Sequence, residues 1–225
     1  MAGLTLAACA GEKIPPSGTM LSLPAGDFTL PVKSMVERRY LTIVRQQYDF
    51  SCGSAALATL LHYHYGDPQN EKTIFVGMWK EGDRQQIRRY GFSLLDMKRY
   101  LAARGIRADG YKVSLADVAA TRIPGIAMIN MKGYKHFVVI KGVERDHVLV
   151  GDPSLGMRLI DLDTFAGMWN GILFALGDQV ETGRKNFGRA DEWALVPRSR
   201  ATMLMEPASH QALALTRAPP FPVEM

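Results

Sequence analysis

Gln46–Leu61 has the sequence QQYDFSCGSAALATLL, in which Cys52 stands where a polar segment gives way to an apolar one. The apolar residues that follow predict a buried helix, and Asp49 and Ser51 are expected to end the preceding segment and cap that helix. A thiol in the first turn of a helix lies near unpaired backbone N–H groups and the positive end of the helix dipole, which stabilise a thiolate. Gly53 has no side chain, so we expect the sulfur to be open to a substrate carbonyl. The pattern predicts that Cys52 is a nucleophile.

Length and composition are those of a single globular domain of 225 residues, long enough to bury a substantial core. The net charge of +5 is modest, and the basic residues are not interleaved with aromatic ones, so nucleic acid is not expected as a partner. His62 and His64 are too close in sequence to share one face of a helix, and no Cys or carboxylate set accompanies them. We therefore expect exposed or half-buried histidines there, with no metal and no cofactor.

The N-terminal residues suggest a targeting signal. Residues 4–9, LTLAAC, precede Ala-Gly and resemble the lipobox of bacterial lipoprotein signal peptides, although the apolar stretch is short and lacks a basic region before it. A start codon upstream would account for this, and an accidental Ala-Ala-Cys is the alternative. Residues 11–26 are rich in Gly, Pro and Ser, which predicts a linker. We expect residues 1–26 to be signal and linker, with Cys9 as a lipid anchor in the periplasm.

Four helices are predicted before residue 121. The first follows Cys52 and ends near the Gly66-Asp67-Pro68 stop, and the second covers residues 71–79. Residues 93–104 form the clearest helix, because Ser93 and Asp96 match a capping box. Ser114 and Asp117 repeat this pattern at the start of a short fourth helix. The first half of the domain is therefore expected to be helical.

The second half is expected to be a meandering antiparallel sheet. Its segments are short, rich in β-branched or apolar residues and separated by turns; they are residues 125–131, 136–143, 147–150, 158–162 and 171–176, with a short helix at 163–169. Helices followed by strands indicate the α+β class, with a site where the two halves meet. We expect the catalytic domain to cover residues 27–180, with its core at 44–176, and a partly disordered extension at 181–225.

A cysteine nucleophile needs a base, and the base needs a group that orients it. His136 opens one predicted strand, and Asp152 ends the next, where Pro153 stops the strand. Two strands joined by a hairpin can place the imidazole and the carboxylate side by side, so that one ring nitrogen faces the carboxylate and the other faces Cys52.

Acyl transfer also needs hydrogen-bond donors for the developing oxyanion. The backbone N–H of Cys52 is one candidate, and the side-chain amide of Gln46, six residues earlier, is the second. Gln47 is its rival, and spacing alone does not decide between them.

Three segments in this order, QQYDFSCGSAALATLL, GYKHFVVIKGV and VLVGDPSLG, resemble the bacteriocin-processing cysteine peptidases. These papain-like domains of peptide-exporting ABC transporters cut leader peptides after a double glycine. The resemblance covers roughly residues 44–176 and implies a papain-like fold, with N-terminal helices packed on an antiparallel β-sheet. It implies a catalytic triad of Cys52, His136 and Asp152, with Gln46 in the oxyanion hole.

The sequence contains no transporter helices and no nucleotide-binding domain, so a stand-alone member is expected, similar to the small peptidases encoded with bacterial functional-amyloid export systems. The resemblance implies a thiol endopeptidase that cuts a leader or unstructured segment of an exported peptide or protein, after small residues such as Gly-Gly. Its partners would be that substrate and a secretion-system component, either an outer-membrane pore or an ABC exporter. The alternatives are a module of the same fold that recognises an export substrate without cutting it, and a transamidase or amidase that uses the same triad.

Overall fold

The computed structural model describes residues 18–23, 26–31, 33–48 and 50–196. The chain divides between Arg38 and Arg39 into two units, and each is described by itself. The lipobox-like residues, Cys9 and residues 197–225 lie outside the described residues, so the predictions made for them stay predictions.

The first unit contains a β-hairpin and a short helix. Strands β1 (Gly18–Leu23) and β2 (Gly26–Pro31) pair antiparallel, and helix α1 (Met35–Arg39) follows. A capping box starts α1, because the Ser34 N–H donates to the Glu37 carboxylate at 2.6 Å and the Glu37 N–H donates to the Ser34 hydroxyl at 3.1 Å. The segment predicted to be a linker thus contains a strand in its described part.

The remaining helices of the described residues lie in the second unit, and the predicted ones are all present. In chain order they are α2 (Cys52–Tyr65), α3 (Glu71–Glu81), α4 (Arg84–Tyr90), α5 (Leu94–Ala103), α6 (Leu115–Thr121), α7 (Leu162–Met168), α8 (Val180–Lys185) and α9 (Ala190–Trp193). The sequence did not predict α4, α8 or α9.

Helix capping follows the sequence in two of three places. The capping boxes predicted for α5, at Ser93 and Asp96, and for α6, at Ser114 and Asp117, are both formed. Ser51 occupies the N-cap position of α2, but its side chain makes no capping hydrogen bond, since the hydroxyl instead lies 2.8 Å from the Tyr48 carbonyl and donates to the Glu71 carboxylate. Ser51 is therefore the N-cap residue, as expected, without a capping hydrogen bond from its side chain, and Asp49 lies outside the described residues.

Six strands form one antiparallel sheet in the second unit. They are β3 (Ala108–Lys112), β4 (Gly125–Met131), β5 (Tyr134–Val143), β6 (His147–Asp152), β7 (Gly156–Asp161) and β8 (Trp169–Leu176), arranged in the order β3-β8-β4-β5-β6-β7. β3 is an edge strand that the sequence did not predict, and β5 begins two residues before the predicted start. The predicted α+β class, with helices on an antiparallel sheet, is confirmed.

Helices cover both faces of this sheet. Phe137 and Val139 of β5 belong to the core cluster that includes α2, α3 and α5, whereas Val138 and Ile140 belong to a second cluster with α6 and α7. Because successive residues of a strand point to opposite faces, these two clusters lie on opposite sides of β5. The sequence did not predict that α6 and α7 cover the second face of the sheet.

A third cluster brings α9, the last helix of the described residues, into the core. It consists of Ile43, Leu149, Met157 and Trp193, all buried. Since Trp193 belongs to α9, the core extends past residue 180, where the sequence places the end of the domain.

Candidate active site

Cys52 is the first residue of α2, a free thiol that is 8% exposed and lines a cleft of about 740 Å³. The glycine after it is explained by packing. A Cβ at Gly53 would lie 3.0 Å from Met97 Cε and 3.2 Å from Phe92 Cβ. Gly53 therefore lets α2 pack closely against these two side chains, and the expectation that it also leaves the sulfur open to substrate stays a prediction.

The β5–β6 pairing brings His136 and Asp152 together. His136 Nε2 lies 2.8 Å from Asp152 Oδ1, and the two side chains are 2% and 1% exposed. The same carboxylate oxygen accepts the backbone N–H groups of Ser154 at 2.8 Å and Leu155 at 3.1 Å. Asp152 therefore closes the turn after β6 and also fixes the imidazole, so its turn role and its orienting role coexist.

Electrostatics favour an imidazolium–carboxylate pair at this position. Burial acts to lower the pKa of His136, but the Asp152 hydrogen bond and the nearby Cys52 sulfur outweigh burial and raise that pKa to about 10. Burial acts to raise the pKa of Asp152, but the hydrogen bond and charge of His136, with help from the Ser154 N–H and from Arg158, lower it below its usual value. Each partner thus stabilises the charged form of the other.

The second ring nitrogen of His136 remains for Cys52. Nδ1 is buried and has no hydrogen bond of good geometry within the described residues. The Cys52 sulfur is nonetheless close enough to raise the His136 pKa. Catalytic hydrogen bonds are often long before substrate binds, so a loose contact fits a nucleophile and its base.

The two glutamines, Gln46 and Gln47, differ in burial and in their backbone contacts. Its backbone N–H donates to the Pro153 carbonyl at 3.0 Å, which holds residue 46 beside the turn that follows Asp152. Its side-chain Oε1 is buried without a hydrogen-bond partner in the described part of the chain. Gln47 is exposed, and its backbone N–H is bonded to Glu71.

Glu71, whose role the sequence does not indicate, holds the loop before the nucleophile. Its carboxylate is 2% exposed and accepts the Gln47 N–H at 3.0 and 3.1 Å. It also accepts a hydrogen bond from the Ser51 hydroxyl, one residue before Cys52. Glu71 is the first residue of α3, where an acidic side chain is ordinary, so the sequence carries no signal of this second role.

The cleft that Cys52 lines is both apolar and basic. Aromatic side chains form much of its surface, and the Tyr134 ring stacks on the His136 ring with centroids 6.0 Å apart. Its aromatic and cationic lining residues include Phe50, Tyr90, Phe92, Phe137, Arg88, Arg89, Arg99 and Lys135. An extended peptide with apolar side chains could therefore be held along this surface.

The two histidines considered as zinc ligands differ in their burial. His62 is exposed, as expected, but His64 is fully buried, which corrects the expectation of an exposed or half-buried side chain. Burial, with a contribution from Lys141, holds the pKa of His64 well below its usual value, so it is neutral.

A helix that begins with a thiol, packed against an antiparallel sheet whose strand carries a histidine paired to a carboxylate, is the architecture of papain-like cysteine peptidases. The chain belongs to the peptidase C39 family, whose family model matches residues 40–181. It is a cysteine peptidase, and the resemblance drawn from the three ordered motifs is confirmed.

Two relatives and one solved structure agree with this family. The chain is 45% identical over 156 residues to a protein of Pseudomonas aeruginosa called "Probable functional amyloid protease FapD", a match that covers 69% of each chain. It is also 45% identical over 145 residues to the protein of that name in Pseudomonas fluorescens, covering 64% of each, so the chain matches less than two thirds of that relative. The peptidase domain of Streptococcus ComA, a bi-functional ABC transporter, has the same fold, with a TM-score of 0.51 and 21% identity over 61% of this chain and 98% of that domain.

No helix in the described residues is long and apolar enough to cross a membrane.

Proposed function

We propose that this chain is a thiol endopeptidase that cuts a leader or unstructured segment of an exported protein, with Cys52, His136, Asp152 and Gln46 as its catalytic residues. The observation that carries the assignment of these residues is the buried His136–Asp152 pair, 2.8 Å apart, with the Cys52 sulfur acting on the same imidazole. A buried carboxylate that fixes an imidazole next to a thiol is the arrangement that a cysteine nucleophile requires.

The proposed reaction begins from a Cys52–His136 ion pair, in which the thiol proton already lies on the His136 imidazole. The thiolate sulfur attacks the scissile carbonyl carbon, and the oxyanion accepts hydrogen bonds from the Cys52 backbone N–H and the Gln46 amide. His136 then protonates the leaving amine as the C–N bond breaks, which leaves a thioester on Cys52. A water molecule gives a proton to His136 and attacks the thioester, which releases the new carboxylic acid and restores the Cys52–His136 ion pair.

The proposed substrate is an exported protein of a functional-amyloid system, cut after small residues such as Gly-Gly. The double-glycine preference is supported by the resemblance to bacteriocin-processing peptidases, and the amyloid system by the names of the two Pseudomonas relatives. We place the enzyme in the bacterial periplasm, held by a lipid on Cys9, with an outer-membrane pore or an exporter as partner.

Cleavage of short peptides tests the activity and the preference together. We expect wild-type protein to cut a peptide with Gly-Gly at its centre, detected by mass spectrometry, and to leave a matched peptide with Leu-Leu intact. Cys52→Ala should cut neither peptide, whereas His62→Ala, which changes an exposed histidine, should match wild type. If the wild-type protein cuts neither the peptides nor a full-length exported protein, the peptidase assignment is wrong. The alternative, a module that recognises an export substrate without cutting it, is then favoured.

Alkylation tests the Cys52–His136 pair without a substrate. We expect iodoacetamide to label Cys52 faster than free cysteine at neutral pH, since an ion pair supplies the reactive thiolate. His136→Ala should remove this advantage, while His62→Ala should keep it. Equal labelling of wild type and His136→Ala would show that the imidazole does not activate the sulfur.

A further inference from the structure

A buried ion pair that takes no part in the proposed reaction joins the sheet to residues 187–196, called the C-terminal segment. Lys141 Nζ on β5 lies 2.7 Å from Glu192 Oε1 on α9, and the two side chains are 0% and 1% exposed. Neither Glu192 oxygen makes a hydrogen bond of good geometry in the described part of the chain, so the ion pair with Lys141 is the close polar contact of this carboxylate there. Burying two charges costs free energy, because both side chains lose their contacts with water.

Lys141 is the extra residue of a β-bulge. Ile140 pairs with Val150 and Gly142 pairs with Leu149, so Lys141 has no partner on β6. A bulge redirects a side chain, and here Lys141 Nζ donates to the Thr42 carbonyl at 3.1 Å. The lysine therefore reaches from the sheet to the segment that leads to the nucleophile.

That segment, residues 40–46, is called the arm here and ends at Gln46. Three other contacts fix it. The Tyr40 hydroxyl donates to the Ser154 carbonyl, the Val44 N–H donates to the Thr59 hydroxyl of α2 at 2.9 Å, and the Gln46 N–H donates to the Pro153 carbonyl at 3.0 Å. The arm thus connects the turn after Asp152 to the helix that carries Cys52.

Lys141 also packs beside that turn. A Cβ at Gly151 would lie 2.9 Å from Lys141 Cδ and 2.6 Å from Ile43 Cδ1, so the lysine stem and the arm both press against the residue before Asp152. Gly151 thus leaves room for the lysine stem and the arm side by side.

The C-terminal segment, residues 187–196, holds the arm and Lys141 from the other side. Trp193 is buried in one cluster with Ile43 of the arm and Leu149 of β6. The Gly188 N–H donates to the Lys141 carbonyl at 2.7 Å. The segment thus contacts the backbone of Lys141, its ammonium group and the arm to which that group is bonded.

We infer that Glu192 and Lys141 are positioning residues for Gln46, so that the C-terminal segment completes the oxyanion site through the arm. The inference rests on the proposed role of Gln46. It concerns a segment that lies beyond residues 40–181, which the peptidase family model matches.

The physical reason is the cost of an unpaired buried ammonium. Burial lowers the pKa of Lys141, and Glu192 opposes that effect. Without the carboxylate, Lys141 must lose its proton or move toward water, and either change weakens its bond to the Thr42 carbonyl. The arm then keeps only three of the four hydrogen bonds described above, and we expect its end at Gln46 to be held less firmly.

Glu192→Gln tests this with little change in side-chain volume. We expect kcat for the Gly-Gly peptide to fall about ten-fold with KM within about two-fold, because an oxyanion donor acts in the transition state. Iodoacetamide labelling of Cys52 should stay at the wild-type rate, since the Cys52–His136 pair does not involve the arm. Glu181→Gln, which removes an exposed pair with Arg184, is the matched control and should behave as wild type.

Hydrogen exchange supplies a readout that needs no substrate. In Glu192→Gln, the Val44 and Gln46 amides should exchange at least about ten-fold faster than in wild type, while buried amides of α2 should not change. Equal acceleration across the whole domain would overturn the inference, because the pair would then contribute only general stability. Unchanged exchange in the arm would overturn it as well.

A double variant, Lys141→Met with Glu192→Leu, separates stability from positioning. Replacing a buried ion pair by apolar side chains often leaves stability intact, so the unfolding temperature should stay near that of wild type. The Thr42 carbonyl would still lack its donor, so exchange in the arm should remain fast and kcat low. Wild-type kcat together with a protected arm would overturn the inference.

The outcomes also distinguish this inference from the proposed function. If wild type cuts the peptide and the arm is unaffected in Glu192→Gln, the positioning role fails and the peptidase assignment stands. If wild type cuts nothing while the arm amides exchange faster in Glu192→Gln, the peptidase assignment fails. The conclusion that the ion pair holds the arm is then still supported.

Discussion

His136 differs from an ordinary strand histidine because its Nε2 is buried against a carboxylate. Its pKa of about 10 lies above the usual 6.5, so the bound proton stabilises the fold fully below about pH 6.5, and that contribution is lost as the pH rises toward 10. Asp152 behaves in the opposite sense. Its pKa is below the usual 3.8, so its contribution is present above that pH and is lost as the pH falls below it.

Asp152→Asn should remove the raised pKa of His136. We expect the His136 ring resonances of wild type to remain in the protonated form at pH 8, whereas in Asp152→Asn the ring should be neutral at that pH, because burial is then less opposed. In chemical denaturation, the stability difference between wild type and variant should shrink from pH 6.5 to pH 9.5. A difference that stays constant over this range would mean that the pair does not titrate as proposed.

Gln46 and Gln47 can be separated by two single substitutions. Gln46→Ala should lower kcat by roughly 10²–10³-fold, the usual effect of removing one oxyanion donor, while labelling of Cys52 by iodoacetamide stays unchanged. Gln47→Ala is the matched control and should stay within about two-fold of wild type, because its backbone rather than its side chain contacts Glu71. Equal losses in the two variants would contradict the assignment of the oxyanion donor to Gln46.

Among single residues, those that stand in a recognisable motif can be predicted from the sequence. Residues whose role depends on being buried in the folded chain cannot. Cys52, His136 and Asp152 stand in three ordered motifs, and the structure brings the latter two to 2.8 Å. Lys141 and Glu192 lie 51 positions apart in segments where charged residues are common, and only the folded chain shows that both are buried.

The loop that precedes α2 depends on the first turn of α3. Glu71→Gln keeps the shape of the side chain but removes the charge that accepts the Gln47 N–H and the Ser51 hydroxyl. We expect a loss of about 1–3 kcal/mol in the free energy of unfolding, the cost of a weakened charged hydrogen bond in a buried site, together with slower labelling of Cys52.

Glu81→Gln, at the exposed end of the same helix, provides the control for Glu71 and should change stability by less than about 0.5 kcal/mol. Denaturation in urea measures both variants. If Glu71→Gln is as stable and as reactive as wild type, the loop does not depend on this carboxylate.

Elements were predictable where local chemistry fixes them. The capping boxes at Ser93 and Ser114 set the starts of α5 and α6 through contacts three residues apart, which the sequence displays. β3 has the sequence ADGYK with only Ala108 buried, and α4 has only Ile87 buried, so neither has an apolar periodicity. β3 exists because β8 offers an edge for pairing, which is a property of the sheet.

For the whole molecule, the helical half and the strand half gave the α+β class because their periodicities differ clearly. The closing of the domain by its C-terminal segment could not be predicted in this way. Phe187 and Trp193 are isolated aromatic residues in a polar stretch, and they are buried because distant strands provide cavities for them. Chain length and composition do not indicate such long-range packing.

Two deletions compare the ends of the chain. The three described core clusters, with the residues packed on them, lie between Tyr40 and Val196, and the family match begins at residue 40. Removal of residues 1–33 should therefore leave the unfolding temperature within about 2 °C of wild type and kcat/KM within about two-fold.

Removal of residues 187–225 takes away Phe187 and Trp193, each worth about 2–3 kcal/mol when buried, and should lower the unfolding temperature by roughly 10 °C or more. Scanning calorimetry and the Gly-Gly peptide assay measure both, and a larger loss from the N-terminal deletion than from the C-terminal one would show that the peptidase domain has been delimited incorrectly.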